Sequence, residues 1–229
     1  MIASFLHWLG FGLCHQLPER SFFGGGVQVP VCARDTGIYV GFLLSLIVIS
    51  IIHRGDRPRE FPAPAGWAAI GLMIGVMGFD GVTSYAGIRT TTNDLRLITG
   101  LLAGYAIGAM LVPMLNDELW RTGSRNRVLD PPGRLLAWLA TVPVAFVILR
   151  YGAPLLGVGF PLFVAASVIA TLTAVNLVIV CLTPAFERKA DRITDAWVAI
   201  LLAMGLTLLE IWLSGLLRLW IESMASRLT

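Results

Sequence analysis

The run Leu95-Arg96-Leu97-Ile98-Thr99-Gly100-Leu101-Leu102-Ala103-Gly104-Tyr105-Ala106-Ile107-Gly108-Ala109-Met110-Leu111-Val112-Pro113-Met114-Leu115 carries a single charged residue and three glycines spaced four apart. A membrane-crossing helix needs about 20 mostly apolar residues, because the hydrocarbon layer is about 30 Å thick and a helix rises about 1.5 Å per residue. This run meets that length. Gly100, Gly104 and Gly108 fall on one helical face, where they let a second helix approach to backbone contact. Gly71 and Gly75 repeat the same small-xxx-small step elsewhere. The stretch reads as a packed helix of a transmembrane bundle.

The rest of the chain agrees. Its 229 residues have a mean hydropathy of +0.78, 56% hydrophobic residues and 14% charged ones, against roughly a quarter charged in soluble domains. That deficit excludes a soluble globular enzyme. Six apolar runs are long enough to cross: Thr36–His53, Pro62–Phe79, Leu95–Leu115, Leu135–Tyr151, Phe160–Pro184 and Ala196–Trp220. The predicted fold is therefore all-α, a polytopic transmembrane helical bundle forming one membrane domain over residues 1–229. Its parts are an N-terminal helix and Cys/His loop (1–35), three spans (36–115) and three more (135–220). The first fourteen residues are apolar but short, with Ile2, Phe5, Leu6, Leu9 and Leu13 on one face, so an interfacial, re-entrant or seventh helix is expected. They show no basic n-region and no small-residue cleavage site, so they do not read as a signal peptide. Thr36 is placed to cap the first span, and Thr92 or Asn93 to cap the third.

Orientation follows from the arginines. Arg54, Arg57 and Arg59, then Arg121, Arg125, Arg127 and Arg134, then Arg188, Lys189 and Arg192 all fall on one side if every span crosses. These ten against seven on the other side place that face in the cytoplasm. The expected location is the cell membrane, with Cys14–Asp35 and Asp80–Arg96 together on the extracytoplasmic face. A net charge of +3 distributed this way implies no nucleic-acid partner. Trp120, Trp138, Trp197 and Trp220 lie near run ends and read as interface anchors.

Two polar constellations interrupt the apolar pattern. The first is Cys14-His15-Gln16-Leu17-Pro18-Glu19-Arg20-Ser21-Phe22, followed by Gly24-Gly25-Gly26 and by Pro30-Val31-Cys32-Ala33-Arg34-Asp35-Thr36-Gly37-Ile38-Tyr39. It resembles a prokaryotic integral membrane protein family described as a domain of unknown function. Members carry Cys-His-Gln, Pro-Glu-Arg-Ser-Phe and Pro-Val-Cys-Ala-Arg-Cys-Thr-Gly-Ile-Tyr, with a cysteine where this chain has Asp35. The resemblance runs from Cys14 through the Asp80–Gly104 region and implies no reaction. The side-chain chemistry leaves two readings open. Cys14, His15, Cys32 and Asp35 offer thiolate, imidazole and carboxylate ligands for a zinc-like divalent metal, whereas on an oxidising face Cys14 and Cys32 could instead form a disulfide. Cys181, inside an apolar run, reads as a small packed hydrophobe.

The second constellation runs from Asp80 through Thr83, Arg89, Thr91, Asn93 and Asp94 to Arg96. An acidic group at the membrane is a functional candidate by default, and Asp80 is the candidate orienting or acid–base residue. A helix starting near Asn93 presents free amides and a partial positive charge to an anion. With Arg20, Arg34, Arg89 and Arg96 on the same face, the expected site binds or processes a phosphate-bearing lipid or headgroup through guanidinium forks. The order acidic residue, polar residue, Arg, Asn, Gly-xxx-Gly is also similar to the VanZ-like family, linked to glycopeptide-antibiotic resistance. No nucleotide loop, zincin helix, serine elbow or haem motif occurs. Two other classes are carried beside the lipid site. One is a small transporter using Glu210, Asn176 and Asp80; the other is a non-catalytic subunit that associates with a membrane-protein partner or with copies of itself.

Overall fold

The computed structural model describes residues 1–228, with side chains through residue 226. Among the described residues the chain forms seven α-helices: α1 (Ile2–Phe11), α2 (Ala33–Ile52), α3 (Pro64–Tyr85), α4 (Asn93–Leu119), α5 (Pro132–Val147), α6 (Gly159–Cys181) and α7 (Trp197–Leu228). Two small strand pairs join them, β1 (Phe23–Gly24) with β2 (Val27–Gln28), antiparallel, and β3 (Pro58–Glu60) with β4 (Ser124–Arg127), parallel. Six helices are long and apolar enough to cross a membrane. The 10 residues of α1 make a helix of about 15 Å, half the hydrocarbon thickness. It packs against α7 and α6 instead of adding a seventh crossing.

At the centre, α2 and α4 cross with their backbones touching. A Cβ added to Gly100 or Gly104 would land on the carbonyl oxygen of Arg34 or Ile38, and one on Gly108 would meet Ser45. Gly37 of α2 answers from the other side against Leu97 and Leu101. Close approach gains dispersion contacts that lipid cannot rival. Gly71 and Gly75 behave otherwise: nothing lies within 4 Å of either added Cβ, so that small-residue step faces outward from α3.

The core beside this crossing is tied by polar side chains. Ser45 Oγ donates to Tyr105 O (2.9 Å) and accepts from Trp138 Nε1 (3.0 Å), and Thr141 Oγ1 donates to the Tyr105 hydroxyl (3.1 Å). Trp138 is fully buried, which corrects its reading as an interface anchor: its indole N–H finds a partner inside the bundle, so it needs no water. Trp197 and Trp220 are exposed, as anchors would be. Large apolar side chains such as Leu72, Val82, Leu136, Leu201 and Leu209 point outward, the inverse of a soluble protein and the expected lining toward lipid.

Of the two expected threonine caps, one forms. Thr92 caps α4, its Oγ1 accepting from Leu95 N at 3.2 Å. Thr36 does not cap α2. That helix begins three residues earlier, with Cys32 at the N-cap, and leaves Thr36 Oγ1 buried in its first turns without a hydrogen-bond partner among the described residues. The fourth span ends in a π-helical turn (Ile148–Gly152) and a 3-10 turn (Ala153–Leu156) before α6.

Alternating crossings sort the connections. One end gathers the 12–32 loop, the α3–α4 turn and the α5–α6 turn, joined by Asn93 Nδ2 donating to Glu19 O (3.1 Å) and Arg150 pairing with Asp94 (2.5 Å). The opposite end gathers β3, β4 and the α6–α7 connection, joined by Arg188 with Asp117 (3.0 Å) and Arg57 donating to Asp191 O (2.9 Å). All ten residues of the basic clusters belong to connections at this second end or to its helix termini.

Candidate functional site

The loop between α1 and α2, residues 12–32, is the longest connection between helices among the described residues, and it returns on itself. Gly25 and Gly26 take left-handed conformations (φ 57 and 77), which glycine adopts without steric cost, and they turn β1 back along β2. Gln28 Nε2 then donates to Gln16 O (2.8 Å), and Gln16 Nε2 donates to His7 O (2.9 Å) and Pro30 O (2.8 Å). These bonds bring the two ends of the loop together. Cys32 N–H donates to Cys14 Sγ at 3.2 Å, and Cys32 Sγ donates to Asp35 Oδ2 at 3.2 Å.

Cys14 Sγ, Cys32 Sγ and an Asp35 oxygen consequently lie within 4.8 Å of one another. The two thiols are not joined. His15 stands outside this triplet and is exposed, because adjacent side chains diverge from the backbone. The paired thiols are electrostatically unlike. Hydrogen bonding from Cys32 holds the Cys14 thiol below its usual range; that pairing, burial and the nearby Asp35 charge push the Cys32 thiol up.

A cavity of about 380 Å³ opens beside the triplet, lined by Cys14, His15, Gln16, Arg20, Cys32, Arg34, Asp35, Tyr85 and Arg96 among others. The two sequence constellations thus meet in one place. Arg34 is buried, and its Nη2 donates to Asp80 Oδ2 at 2.5 Å. Its Nε has no partner among the described residues, nor has Gln16 Oε1, also buried. Buried polar atoms of this kind normally find a partner. Arg96 Nη1 donates to Asn93 Oδ1 at 3.2 Å, while Asn93 Nδ2 reaches back to the Glu19 carbonyl, so Asn93 sets both Arg96 and the loop. Neither Arg20 nor Arg96 has an ion-pair partner among the described residues.

Three expected members are placed differently. Asp80, 1% exposed, is not among the residues lining the cavity; it accepts from Arg34, Arg89, Thr91 (3.0 Å) and Thr99 (3.3 Å). With both oxygens occupied, Asp80 sits as a clamp on two guanidinium groups. Arg89 is drawn to Asp80 and Thr83 and does not line the cavity. Asp94 pairs with Arg150 on the far turn, away from Arg89 and Arg96. Sequence reasoning overlooked Gln16, although its place beside Cys14-His15 was the available signal. It also overlooked Arg218, whose Nη1 donates to Cys14 O at 2.9 Å and ties α7 to the loop; nothing local marks that contact across 204 residues.

Glu210 and Asn176 do meet, but not with Asp80. Asn176 Nδ2 donates to Glu210 Oε2 (2.9 Å) and Thr207 Oγ1 (3.0 Å) between α6 and α7, whereas Asp80 is held among α2, α3 and α4. A larger cavity of about 1000 Å³ lies at the opposite end, near His53, Asp56, Arg57 and Asn116. Its polar groups are engaged with one another or with the backbone: Asn116 donates to Pro58 O (2.9 Å), Asn126 to Asp56 (2.9 Å), and Leu129 N–H to His53 Nε2 (3.2 Å). Arg59 Nε is buried without a hydrogen-bond partner near this end, but it has the Asp117 carboxylate at 3.6 Å; the smaller cavity is distinguished by two unsatisfied atoms among its own lining residues, Arg34 Nε and Gln16 Oε1.

Comparison with known proteins adds the family. A family model described as a predicted membrane protein, DUF2085, matches residues 14–110, the stretch that holds the loop, α2, α3 and most of α4. An uncharacterised protein of Methanocaldococcus jannaschii is 38% identical over 109 residues, covering 48% of this chain and 67% of its own length. An uncharacterised protein of Methanothermobacter thermautotrophicus is 36% identical over 98 residues, covering 43% of this chain and 83% of its own. No solved structure matches. With a multi-span fold and a matched segment that contains the cavity-lining loop from Cys14 onward, this chain belongs to the DUF2085 family of predicted membrane proteins.

Proposed function

We propose that this multi-pass membrane protein binds an anionic, phosphate-bearing lipid headgroup in the cavity lined by Arg20, Arg34 and Arg96, on the extracytoplasmic face of the cell membrane. The observation that carries this reading is the convergence of three guanidinium groups on one cavity, with the buried Nε of Arg34 lacking a partner among the described residues. Arg20 and Arg96, which have no ion-pair partner among the described residues, gain a counter-charge when an anion enters, and a planar fork binds phosphate oxygens in pairs. Asp80 serves this site by position: it holds Arg34 in one orientation, so that the remaining donors stay free. Asn93 does the same for Arg96.

Native mass spectrometry of the full chain with anionic and zwitterionic phospholipids tests the reading. Wild-type protein is expected to retain anionic lipid preferentially. An Arg20→Ala, Arg96→Ala double variant should lose that preference by about tenfold or more, since each charge-assisted hydrogen bond contributes about 1.5–3 kcal/mol. Arg96→Lys should weaken it less, because charge survives while the fork does not. Equal lipid retention in the folded double variant sinks the proposal. Competition by inorganic phosphate without lipid would identify a soluble anion as the occupant.

Orientation has its own test. In a Cys14→Ser, Cys32→Ser, Cys181→Ser background, Ile88→Cys should react with an impermeant thiol reagent in intact cells, and Arg125→Cys should not. Both positions are exposed on opposite ends of the bundle. The reverse pattern would put the cavity in the cytoplasm.

One observation supports association with a membrane-protein partner or a second copy of the chain as well. Glu210 lies near the middle of α7 on an exposed face among Leu206, Leu209 and Leu213, and among the described residues only Asn176 bonds to it. A carboxylate facing lipid is costly, and a neighbouring helix bringing a donor would relieve that cost. Glu210→Leu is expected to dissociate such a complex in mild detergent; unchanged size on gel filtration would argue against it.

A further inference from the structure

The groups that crowd one wall of the cavity are of a different kind from the arginines. Cys14 ends the chain's exit from α1, Cys32 is the N-cap of α2, and Asp35 sits in the first turn of that helix. A spacing of three residues from N-cap to first turn brings Cys32 and Asp35 to the same side of the helix start. The β1–β2 turn supplies Cys14 from 18 residues away. Three ligand atoms within 4.8 Å of one another need only a small contraction to surround one ion. Metal–sulfur bonds of about 2.3 Å and metal–oxygen bonds of about 2.0–2.2 Å place tetrahedral ligands roughly 3.5–3.8 Å apart.

We propose that Cys14, Cys32 and Asp35 form a three-ligand centre for a zinc-class divalent metal ion, with its fourth position open to the arginine-lined cavity. Two thiolates with one carboxylate suit a borderline ion such as zinc better than a hard ion such as magnesium. Three protein ligands and one open position is the arrangement of zinc sites that bind substrate or water, whereas structural sites close with a fourth residue. His15, outside the triplet and exposed, leaves that position free. The supporting shell is already built. Cys32 N–H donates to Cys14 Sγ, Arg218 fixes the Cys14 carbonyl at 2.9 Å, and the free amides at the start of α2 face the negative ligands. Charge balance also fits: two thiolates and a carboxylate exceed a divalent ion by one negative charge, which Arg20, Arg34 and Arg96 offset. Binding releases one proton from each thiol to solvent and requires no change in oxidation state.

The centre shares its cavity with the headgroup reading but takes its ligands from Cys14, Cys32 and Asp35 and none from the arginines, so the two can fail separately. Full-length protein in detergent, reduced and stripped by a chelator, is titrated with cobalt(II). One equivalent should bind per chain, with the near-ultraviolet thiolate-to-cobalt charge-transfer band and the intense visible band of a four-coordinate ion. Cys14→Ser and Cys32→Ser should each remove most of the charge-transfer intensity. Asp35→Asn should weaken binding by more than about tenfold, while Asp35→Cys should keep the stoichiometry and strengthen the band by adding a third thiolate. Inorganic phosphate should shift the visible band, reporting the open position. The Arg20→Ala, Arg96→Ala variant should keep the charge-transfer band even where lipid retention is lost. Absence of stoichiometric cobalt in protein with both thiols free overturns the proposal. So does a native Cys14–Cys32 disulfide, seen as an intact mass lower by two hydrogens after alkylation in cells. A visible band indifferent to phosphate overturns the open position.

Discussion

Asp80→Ala is expected to destabilise the protein by about 3–5 kcal/mol, the cost of removing one partner from a buried ion pair. Asp80 is 1% exposed and receives Arg34, Arg89, Thr91 and Thr99. Without it the Arg34 guanidinium stays largely buried with no counter-charge. Arg89 is less affected, since about a third of its side chain is exposed and can turn to solvent. The same bonds hold α3, which otherwise packs chiefly on α4, against α2. Loss of Asp80 should therefore loosen α3 first, and proteolysis near the α3–α4 turn should accelerate before the rest of the bundle is cut. Thermal unfolding in detergent, followed by circular dichroism, measures the effect. Replacing both groups, Arg34→Met with Asp80→Leu, should recover much of the loss, because an apolar pair of similar volume often substitutes for a buried ion pair. A single Asp80→Ala variant that melts with the wild type would show that the clamp is dispensable.

Gly104→Leu should be more damaging still. At a typical core site an inserted side chain costs about 1–3 kcal/mol because neighbouring side chains can shift. At Gly104 the first atom met is the carbonyl oxygen of Ile38, and behind it the amide of Phe42, so α2 itself must move. Gly100 meets the Arg34 carbonyl in the same way, and moving α2 there would also drag Arg34 and Asp35 away from the cavity. The expected outcome is a protein that is degraded in cells or elutes as aggregate, with no cobalt or lipid binding left to measure. Gly71→Ala and Gly75→Ala provide the contrast. Both have open space around the added carbon, and alanine should stabilise α3 by up to about 1 kcal/mol per site through helix propensity. If Gly104→Leu and Gly71→Ala behave alike, the α2–α4 crossing is not the centre of the fold.

Hydropathy, length and charge were enough to place six crossings, their approximate limits and the shared end of the two polar constellations, because lipid requires long apolar helices and each crossing reverses the side. Local chemistry marked Cys14, Cys32, Asp35, Arg20, Arg34 and Arg96, since polar groups stand out in an apolar chain. Which of them meet was a tertiary matter. Asp80 and Arg34 lie 46 residues apart, and Arg89 was as good a candidate for the cavity until Asp80 took it. Asp94 found Arg150 across 56 residues, and Arg218 reached the cysteine loop across 204. Gly71–Gly75 and Gly100–Gly104 have the same spacing, yet only the second pair is packed. Spacing states which residues share a helix face; it does not state which helix lies opposite. Partner choice between buried charges and between small-residue faces depends on helix order and rotation in the bundle, and those come from packing the whole chain together.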